Sequence, residues 1–194
     1  MSAQCFVCAY SGTVLSPELC SLLPSARLHT LAALPPDRCK QGALAEALLR
    51  LILSRQSGTA PQQIEIQRTS GKKPYIPGYS FSLSHTRGAV AVLLSGTDCG
   101  VDIERLRPAR MRAARLFFTP KEYASSCDAR LFWQLWTRKE ALGKALGVGL
   151  RAELDPASPP NGLQLYTSEH QGYILSVCAD SPPEIIHTTE NNLF

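Results

Sequence analysis

The chain has 194 residues, of which 44% are hydrophobic, and its 20 Lys and Arg residues exceed its 16 Asp and Glu residues by four. This length and composition suit one domain or two small, closely packed lobes, and they exclude an intrinsically disordered chain. A net charge of +4 suits an anionic ligand or an acidic partner, but the basic residues are too sparse for a dedicated nucleic-acid-binding protein.

Seven cysteines, an odd number, are scattered along the chain. The start of the chain lacks the basic stretch of a secretory signal, and no apolar run approaches membrane-spanning length. We therefore expect a reduced, cytoplasmic protein with packed thiols and no membrane contact. Cys5 and Cys8 have the spacing of a metal or redox pair, but a buried strand there would put the two sulfurs on opposite faces. No second cysteine pair completes a zinc site.

The first half of the chain alternates between apolar segments and Pro-rich connections. A strand is predicted over residues 4–10, and four prolines indicate irregular structure over 16–36. A long helix follows, with Asp37 as the N-cap candidate. Further strands of this half are predicted at 62–68, 81–85 and 89–95.

The second half begins with a strand over 99–104 and a short helix after Pro108. Thr119 carries the pattern of a capping box, and a long helix is predicted from Asp128 to Gly147. Closing strands are predicted at 162–167, 173–179 and 184–187.

Both halves thus contain a strand, a helix and further strands, and neither carries a complete site. We expect an α+β protein of two lobes, residues 1–97 and 98–194. The functional site would then lie in the cleft between the lobes.

Two carboxylates one residue apart mark the start of the second half. Side chains alternate along a strand, so Asp102 and Glu104 project from the same face. Such acids usually lie on the solvated face of an edge strand. However, two carboxylates without a counter-charge repel, and a cation between them would turn that repulsion into binding. Gly100 next to them permits close approach of another backbone or a ligand.

The predicted long helix places Trp136, Glu140 and Lys144 on one side, at positions i, i+4 and i+8. A Glu four residues before a Lys is most simply an ordinary helix ion pair. If Glu140 instead faces the two strand carboxylates, the three acidic groups suit a hard divalent cation, Mg²⁺ before Zn²⁺. Such a cation is a usual partner in diphosphate chemistry.

Basic residues surround the acidic motif in the sequence. Lys40, Lys73 and His85 would give the first half an anion-binding wall. Ser84 and His85 do not form a catalytic pair, because neighbouring side chains on a strand point apart. Five arginines between 105 and 115 form either a solvated helix face or a surface for an acidic partner.

Five motifs, in this order and at this spacing, resemble the 4′-phosphopantetheinyl transferase superfamily, in the monomeric type that activates surfactin synthetase. They are Gly71-x-Lys73-Pro74, Phe81-x-Leu83-Ser84-His85-Thr86, Gly100-Val101-Asp102-Ile103-Glu104, Phe117-Phe118-x-x-x-Glu122 and Trp136-x-x-Lys139-Glu140-Ala141-x-x-Lys144-x-x-Gly147-x-Gly149-Leu150. The resemblance implies two similar α+β lobes around a pseudo-twofold axis, with coenzyme A across the cleft. It also implies transfer of phosphopantetheine from coenzyme A to a serine of an acidic carrier protein, with release of 3′,5′-ADP. The chain resembles the compact holo-[acyl-carrier-protein] synthases in size.

The same resemblance implies a role for each matching residue. Asp102, Glu104 and Glu140 would hold Mg²⁺ against the diphosphate. Glu140 would also help to deprotonate the serine, and Lys144 would stabilise or protonate the departing phosphate. The implied coenzyme contacts are Lys73, Ser84 and His85 at the phosphoadenosine end, Lys139 at the phosphates and Lys40 in the first long helix. Arg38 competes with Lys40 for its role.

Two other functions remain open at this point. A degenerate family member would bind coenzyme A or a carrier without turnover, although the intact acidic and lysine positions argue against it. A metal-dependent phosphodiesterase would hydrolyse coenzyme A and release 3′,5′-ADP without any carrier.

Overall fold

The computed structural model describes residues 2–68 and 73–193, and its fold is α+β, as the sequence predicts. The strands are β1 Gln4–Ala9, β2 Ser80–Thr86, β3 Ala89–Ser95, β4 Gly100–Arg105, β5 Gln164–His170, β6 Tyr173–Ala179 and β7 Glu184–Thr189. The helices are α1 Pro17–Ser21, α2 Ser25–Ala32, α3 Pro36–Ser57, α4 Met111–Phe117, α5 Pro120–Ser125 and α6 Ala129–Leu146. Two short 3₁₀ helices span Pro61–Gln63 and Glu190–Asn192.

The strands form two sheets. The first has the order β2-β3-β1-β7 and the second the order β4-β6-β5. All pairs are antiparallel except β1 with β7. The predicted boundary at 97/98 lies between the two sheets in sequence, but β7 returns from the second half to the first sheet. There it supplies backbone partners to the side of β1 that β3 leaves open.

Three local predictions were wrong. Asp37 does not cap α3, because the helix begins at Pro36 and Asp37 lies in its first turn. The segment predicted to be irregular forms α1 and α2, because its prolines stand at helix starts, where a missing N–H costs nothing. Ser16 caps α1 by accepting a hydrogen bond from the backbone of Leu19. The strand predicted over 62–68 is a 3₁₀ turn with one isolated bridge, and Arg50 of α3 binds two of its carbonyl groups.

Three helix ends agree with the sequence. Thr119 forms the predicted capping box with Glu122 at the start of α5. Asp128 caps α6 by accepting a hydrogen bond from Leu131, and Gly147 ends that helix with a φ of 69°.

The buried cysteines also agree with the sequence. Cys5 and Cys8 lie on β1 and pack into different hydrophobic clusters on its two sides. All seven cysteines are free thiols. None of the helices in residues 2–68 and 73–193 is long and apolar enough to cross a bilayer.

The two sheets meet where β2 faces β4, and hydroxyl groups connect the two strands. Ser82 Oγ accepts a hydrogen bond from the backbone of Val101 (3.1 Å), and Ser84 Oγ accepts one from Ile103 (3.2 Å). Helix α6 covers β4 so closely that a Cβ atom on Gly100 would lie 1.9 Å from the carbonyl oxygen of Ala141. The glycine therefore permits the close approach that its place beside the acids suggested.

Candidate active site

A cavity of about 440 Å³ opens where β2, β4, α3 and α6 meet. Six of the nine predicted site residues line it: Ser84, His85, Asp102, Glu104, Glu140 and Lys144. Trp136 lines it as well, so the whole predicted stripe of α6 faces the carboxylates of β4. The 3.6-residue period of the helix and the 2-residue period of the strand thus converge on one space.

Asp102 of β4 lines this cavity and is itself largely buried. Its Oδ1 accepts hydrogen bonds from Ser84 Oγ (2.7 Å) and from the ammonium group of Lys144 (2.7 Å). Lys144 also donates to the carbonyl oxygen of Val101 (2.9 Å). Asp102 Oδ2 is buried and has no hydrogen-bond partner among the described residues. A buried carboxylate oxygen without a donor is costly, and a bound cation would relieve that cost.

Glu104 lies near the end of β4, and its carboxylate is held by two side chains. Its Oε2 accepts hydrogen bonds from Thr86 Oγ1 (2.9 Å) and from an N–H group of Arg107 (3.0 Å). Thr86 therefore does for Glu104 what Ser84 does for Asp102, because both hydroxyls project from the same face of β2.

Glu140 reaches the cavity from α6. Burial raises the pKa of its carboxyl, and the charges of Asp102 and Glu104 raise it further, while Lys144 lowers it. The three carboxylates therefore repel one another in one cavity, and a bound cation would offset that repulsion.

The donor set fits Mg²⁺, although it is not closed around an ion. No group of three His, Cys, Asp or Glu side chains in the described residues is close enough to hold a metal. Instead, Lys144 pairs with Asp102, and Arg107 pairs with Glu104. The available atoms are hard carboxylate oxygens, and the unpartnered Oδ2 of Asp102 is one of them.

His85 and Lys73 extend the site towards the first half of the chain. Burial lowers the pKa of His85, as do the charges of Lys144 and Arg38, and Nδ1 of the ring has no partner among the described residues. Burial also lowers the pKa of Lys73, whose ammonium donates to the carbonyl of Cys99 (2.8 Å). Lys73 lines a neighbouring cavity of about 560 Å³ that shares Lys144 with the first. Gly71 of the same motif lies outside the described residues.

Lys40 and Lys139, two predicted coenzyme contacts, do not line the carboxylate cavity. Lys40 is buried, forms an ion pair with Glu190 and donates to the carbonyl of Val14 (2.8 Å). It therefore links α3 to the end of the chain, and its charge is already satisfied. Its competitor Arg38 is exposed and does not line the carboxylate cavity.

Lys139 is likewise buried away from the cavity. Its ammonium pairs with Glu122 (2.9 Å) and donates to the carbonyl of Ala152 (2.8 Å). Successive residues on a helix point about 100° apart, so Lys139 and its neighbour Glu140 serve different sides of α6. The role of Lys139 as a phosphate ligand stays a prediction, and in this structure its charge is paired with Glu122.

Two arginines in the cavity wall were not predicted. Arg27 and Arg68 line the cavity, and each pairs with the buried carboxylate of Glu46, at 2.7 Å and 2.6 Å. Arg50 binds the same carboxylate at 2.9 Å. Burial raises the pKa of Glu46, but the hydrogen bond from Arg50 and the charges of Arg68 and Arg27 together lower it below its ordinary value.

Three guanidinium groups on one carboxylate leave a positive surplus beside the acidic cluster. The sequence indicates only one of these three ion pairs, through the i, i+4 spacing of Glu46 and Arg50. Arg27 and Arg68 arrive from separate segments, so their convergence depends on the tertiary fold.

Comparison with known proteins gives a consistent family match. A family model described as the 4′-phosphopantetheinyl transferase superfamily matches residues 98–192. A 4′-phosphopantetheinyl transferase of Bacillus subtilis is 28% identical over 166 residues, which cover 72% of this chain and 73% of the relative. The 4′-phosphopantetheinyl transferase Sfp of Bacillus subtilis (strain 168) is 29% identical over 164 residues, with the same coverage. The 4′-phosphopantetheinyl transferase psf-1 of Bacillus pumilus is 27% identical over 179 residues, covering 77% of each chain.

Proposed function

We propose that this chain, which matches the family model of the 4′-phosphopantetheinyl transferase superfamily over residues 98–192, transfers the 4′-phosphopantetheine group of coenzyme A to a serine of an apo carrier protein. The products are the holo-carrier protein and 3′,5′-ADP. The observation that carries the proposal is the convergence of Asp102, Glu104, Glu140 and Lys144 on one cavity.

The reaction exchanges one phosphorus–oxygen bond for another. The serine oxygen bonds to the phosphorus that carries pantetheine, and the bond from that phosphorus to the bridging diphosphate oxygen breaks. The electron pair of the broken bond leaves with 3′,5′-ADP, and the serine loses its proton. Such a transfer depends mainly on positioning and on neutralising charge.

The residues of the cavity supply these needs. Asp102, Glu104 and Glu140 would hold Mg²⁺, which when bound neutralises the diphosphate. Glu140 takes the serine proton, because its carboxyl group lines the cavity in which the serine and the donor would meet. Lys144 lies on the cavity wall, where its ammonium stabilises or protonates the departing phosphate.

The coenzyme contacts follow from the same cavity. His85 presents a ring nitrogen that has no partner in the described part of the chain, and Lys73 extends the anion-binding wall along the neighbouring cavity. Ser84 donates to Asp102, so its first effect is to orient that carboxylate. We further propose that the enzyme acts as a monomer in the cytoplasm, and its seven free thiols support a reducing compartment.

The direct test is incubation of the protein with coenzyme A, Mg²⁺ and a panel of apo carrier proteins. We expect the mass of a carrier to increase by one phosphopantetheine group, with an equal amount of 3′,5′-ADP. Release of 3′,5′-ADP without a carrier would instead indicate a phosphodiesterase. Coenzyme A binding with neither product would indicate a binding module. An Arg-rich surface makes acidic carriers the first choice.

Arg68 is expected to bind a phosphate group of the donor. Its guanidinium lines the cavity and is only partly neutralised, since three arginines share the charge of Glu46. Loss of one charge-assisted hydrogen bond should raise the coenzyme A dissociation constant of Arg68→Gln by about tenfold. Isothermal titration calorimetry measures this constant, and Arg55→Gln, an exposed arginine on α3, is the matched control. Equal affinities in the two variants would exclude a donor contact for Arg68.

Helix α4 is expected to dock the acidic carrier. It exposes Arg112, Arg115 and the side chain of Leu116, and it follows in the sequence the strand that bears the carboxylates. Reversing both charges, Arg112→Glu with Arg115→Glu, should raise KM for an acidic carrier by about tenfold at low salt, while the coenzyme A dissociation constant stays unchanged. Arg55→Glu, a single charge reversal on another helix, controls for an effect of charge reversal outside α4. A carrier KM that responds equally to the control would place docking elsewhere.

A further inference from the structure

Arg107 contacts the acidic site from outside the cavity. Its guanidinium donates to Glu104 Oε2 at 3.0 Å and to the carbonyl oxygen of Arg105 at 3.1 Å. It is not among the residues that line the carboxylate cavity. Arg107 therefore acts on the site through Glu104.

A buried tryptophan fixes Arg107 in this position. The guanidinium carbon lies 3.9 Å from the centroid of the Trp133 ring, and the indole N–H of Trp133 donates to the backbone carbonyl of Arg107 at 2.7 Å. Trp133 is fully buried in the aromatic cluster of α6. The buried Trp133 ring thus contacts both the main chain and the side chain of Arg107.

In the ligand-free protein, Asp102 and Glu104 each form an ion pair with a basic side chain, but the two basic partners differ in their position. Lys144 pairs with Asp102 from inside the cavity, where it can exchange that carboxylate for a phosphate of the donor. Arg107 pairs with Glu104 from outside and is held against Trp133. The charge of Arg107 therefore persists whether or not the donor is bound.

We propose that Arg107 is a positioning residue that orients Glu104 and offsets its charge, so that the free protein binds its divalent cation weakly and binds it well only with the anionic donor. This inference rests on the proposed function. Thr86 also donates a hydrogen bond to Oε2 of Glu104, so the Glu104 carboxylate stays partly oriented when Arg107 is removed. It removes a full positive charge close to the cation, and that electrostatic effect is the larger one.

The test measures metal affinity without any carrier. Mn²⁺, an oxygen-preferring cation like Mg²⁺, is titrated into the free protein, and the unbound ion is measured by electron paramagnetic resonance. Arg107→Met keeps an apolar stem on Trp133, and its Mn²⁺ dissociation constant should be lower than that of the wild type by about tenfold. Arg107→Gln, a second neutral variant, should shift it in the same direction. Arg107→Lys keeps the charge, and its constant should stay within about threefold of the wild type.

Arg110→Met is the matched control. Arg110 also lies over Trp133, at 5.7 Å from the ring centroid, but it makes no hydrogen bond or ion pair with Glu104 in the described residues. The same loss of charge there should change the Mn²⁺ dissociation constant by less than about threefold.

A second titration tests the dependence on the donor. Coenzyme A should lower the Mn²⁺ dissociation constants of the wild type and of Arg107→Met by a similar factor, after correction for Mn²⁺ bound by coenzyme A alone, because the charge of Arg107 is present in both states of the wild type. Two results for the free protein would overturn the inference. One is an equal change of the Mn²⁺ dissociation constant, relative to the wild type, in Arg107→Met and Arg110→Met. The other is an Mn²⁺ dissociation constant that is unchanged or raised in both neutral Arg107 variants. Tighter Mn²⁺ binding by these variants supports it even if the wild type transfers nothing, a result that would overturn the proposed function alone.

Discussion

Replacing Glu140 with glutamine is expected to lower the rate of phosphopantetheine transfer by about a thousandfold, because one change removes both a proposed metal ligand and the proposed base. The amide keeps the size of the side chain, so the cavity should keep its shape. Transfer is measured by the mass of the carrier, with the same reaction in Glu65→Gln as the control. Glu65 is an exposed carboxylate that does not line the cavity.

The same variant should be at least as stable as the wild type. Burial and the charges of Asp102 and Glu104 raise the pKa of Glu140 in the folded protein. A carboxyl whose pKa is raised on folding is less easily ionised in the native state, so its ionisation opposes folding above its unfolded pKa. Glutamine carries no such charge, and thermal unfolding at pH 7 should show an unchanged or higher Tm. Transfer within threefold of the wild type, or a clearly lower Tm, would contradict this role.

Replacing Gly100 with alanine is expected to destabilise the protein by about 3 kcal/mol or more, at the upper end of overpacking effects. The added Cβ would lie 1.9 Å from the carbonyl oxygen of Ala141 and 2.7 Å from the backbone nitrogen of Ala145. Both atoms belong to the backbone of α6, which cannot move aside as a side chain can. Either α6 or β4 must shift, and the shift separates Glu140 from Asp102. Unfolding in urea and transfer activity should therefore fall together.

Gly42→Ala is the control for this substitution. Its added Cβ would meet only the end of the Leu31 side chain, at 2.8 Å, and alanine is a better helix former than glycine within α3. We expect a change in the free energy of unfolding of less than about 1 kcal/mol, since the propensity gain offsets the contact. If the two alanine variants were equally stable, the close packing of α6 on β4 would not be what positions the site.

Several features of the site could be predicted because they depend on local periodicity. Asp102 and Glu104 share a face of β4, and Trp136, Glu140 and Lys144 share a face of α6, wherever these elements lie. The ends of α6 at Asp128 and Gly147 follow from side-chain capping and from the left-handed conformation that glycine allows.

Long basic side chains were predicted less well, because their partners come from distant segments. Lys40 has a residue type and position that suit a ligand contact, yet Glu190, 150 residues away, takes its charge. Arg27 and Arg68 carried no local signal, and Glu46 brings them into the cavity wall. A flexible side chain reaches several directions, so tertiary contacts decide which one it takes.

The sequence by itself therefore determined the strand and the helix that carry the acids, the faces on which those acids lie and the family resemblance. These properties follow from backbone geometry, which repeats every 2 residues in a strand and every 3.6 in a helix. Only the tertiary structure decided that β7 joins the first sheet, that Lys139 turns away from the site and that Arg107 holds Glu104. Each depends on which surfaces pack together, and packing is set by the burial of side chains from the whole chain.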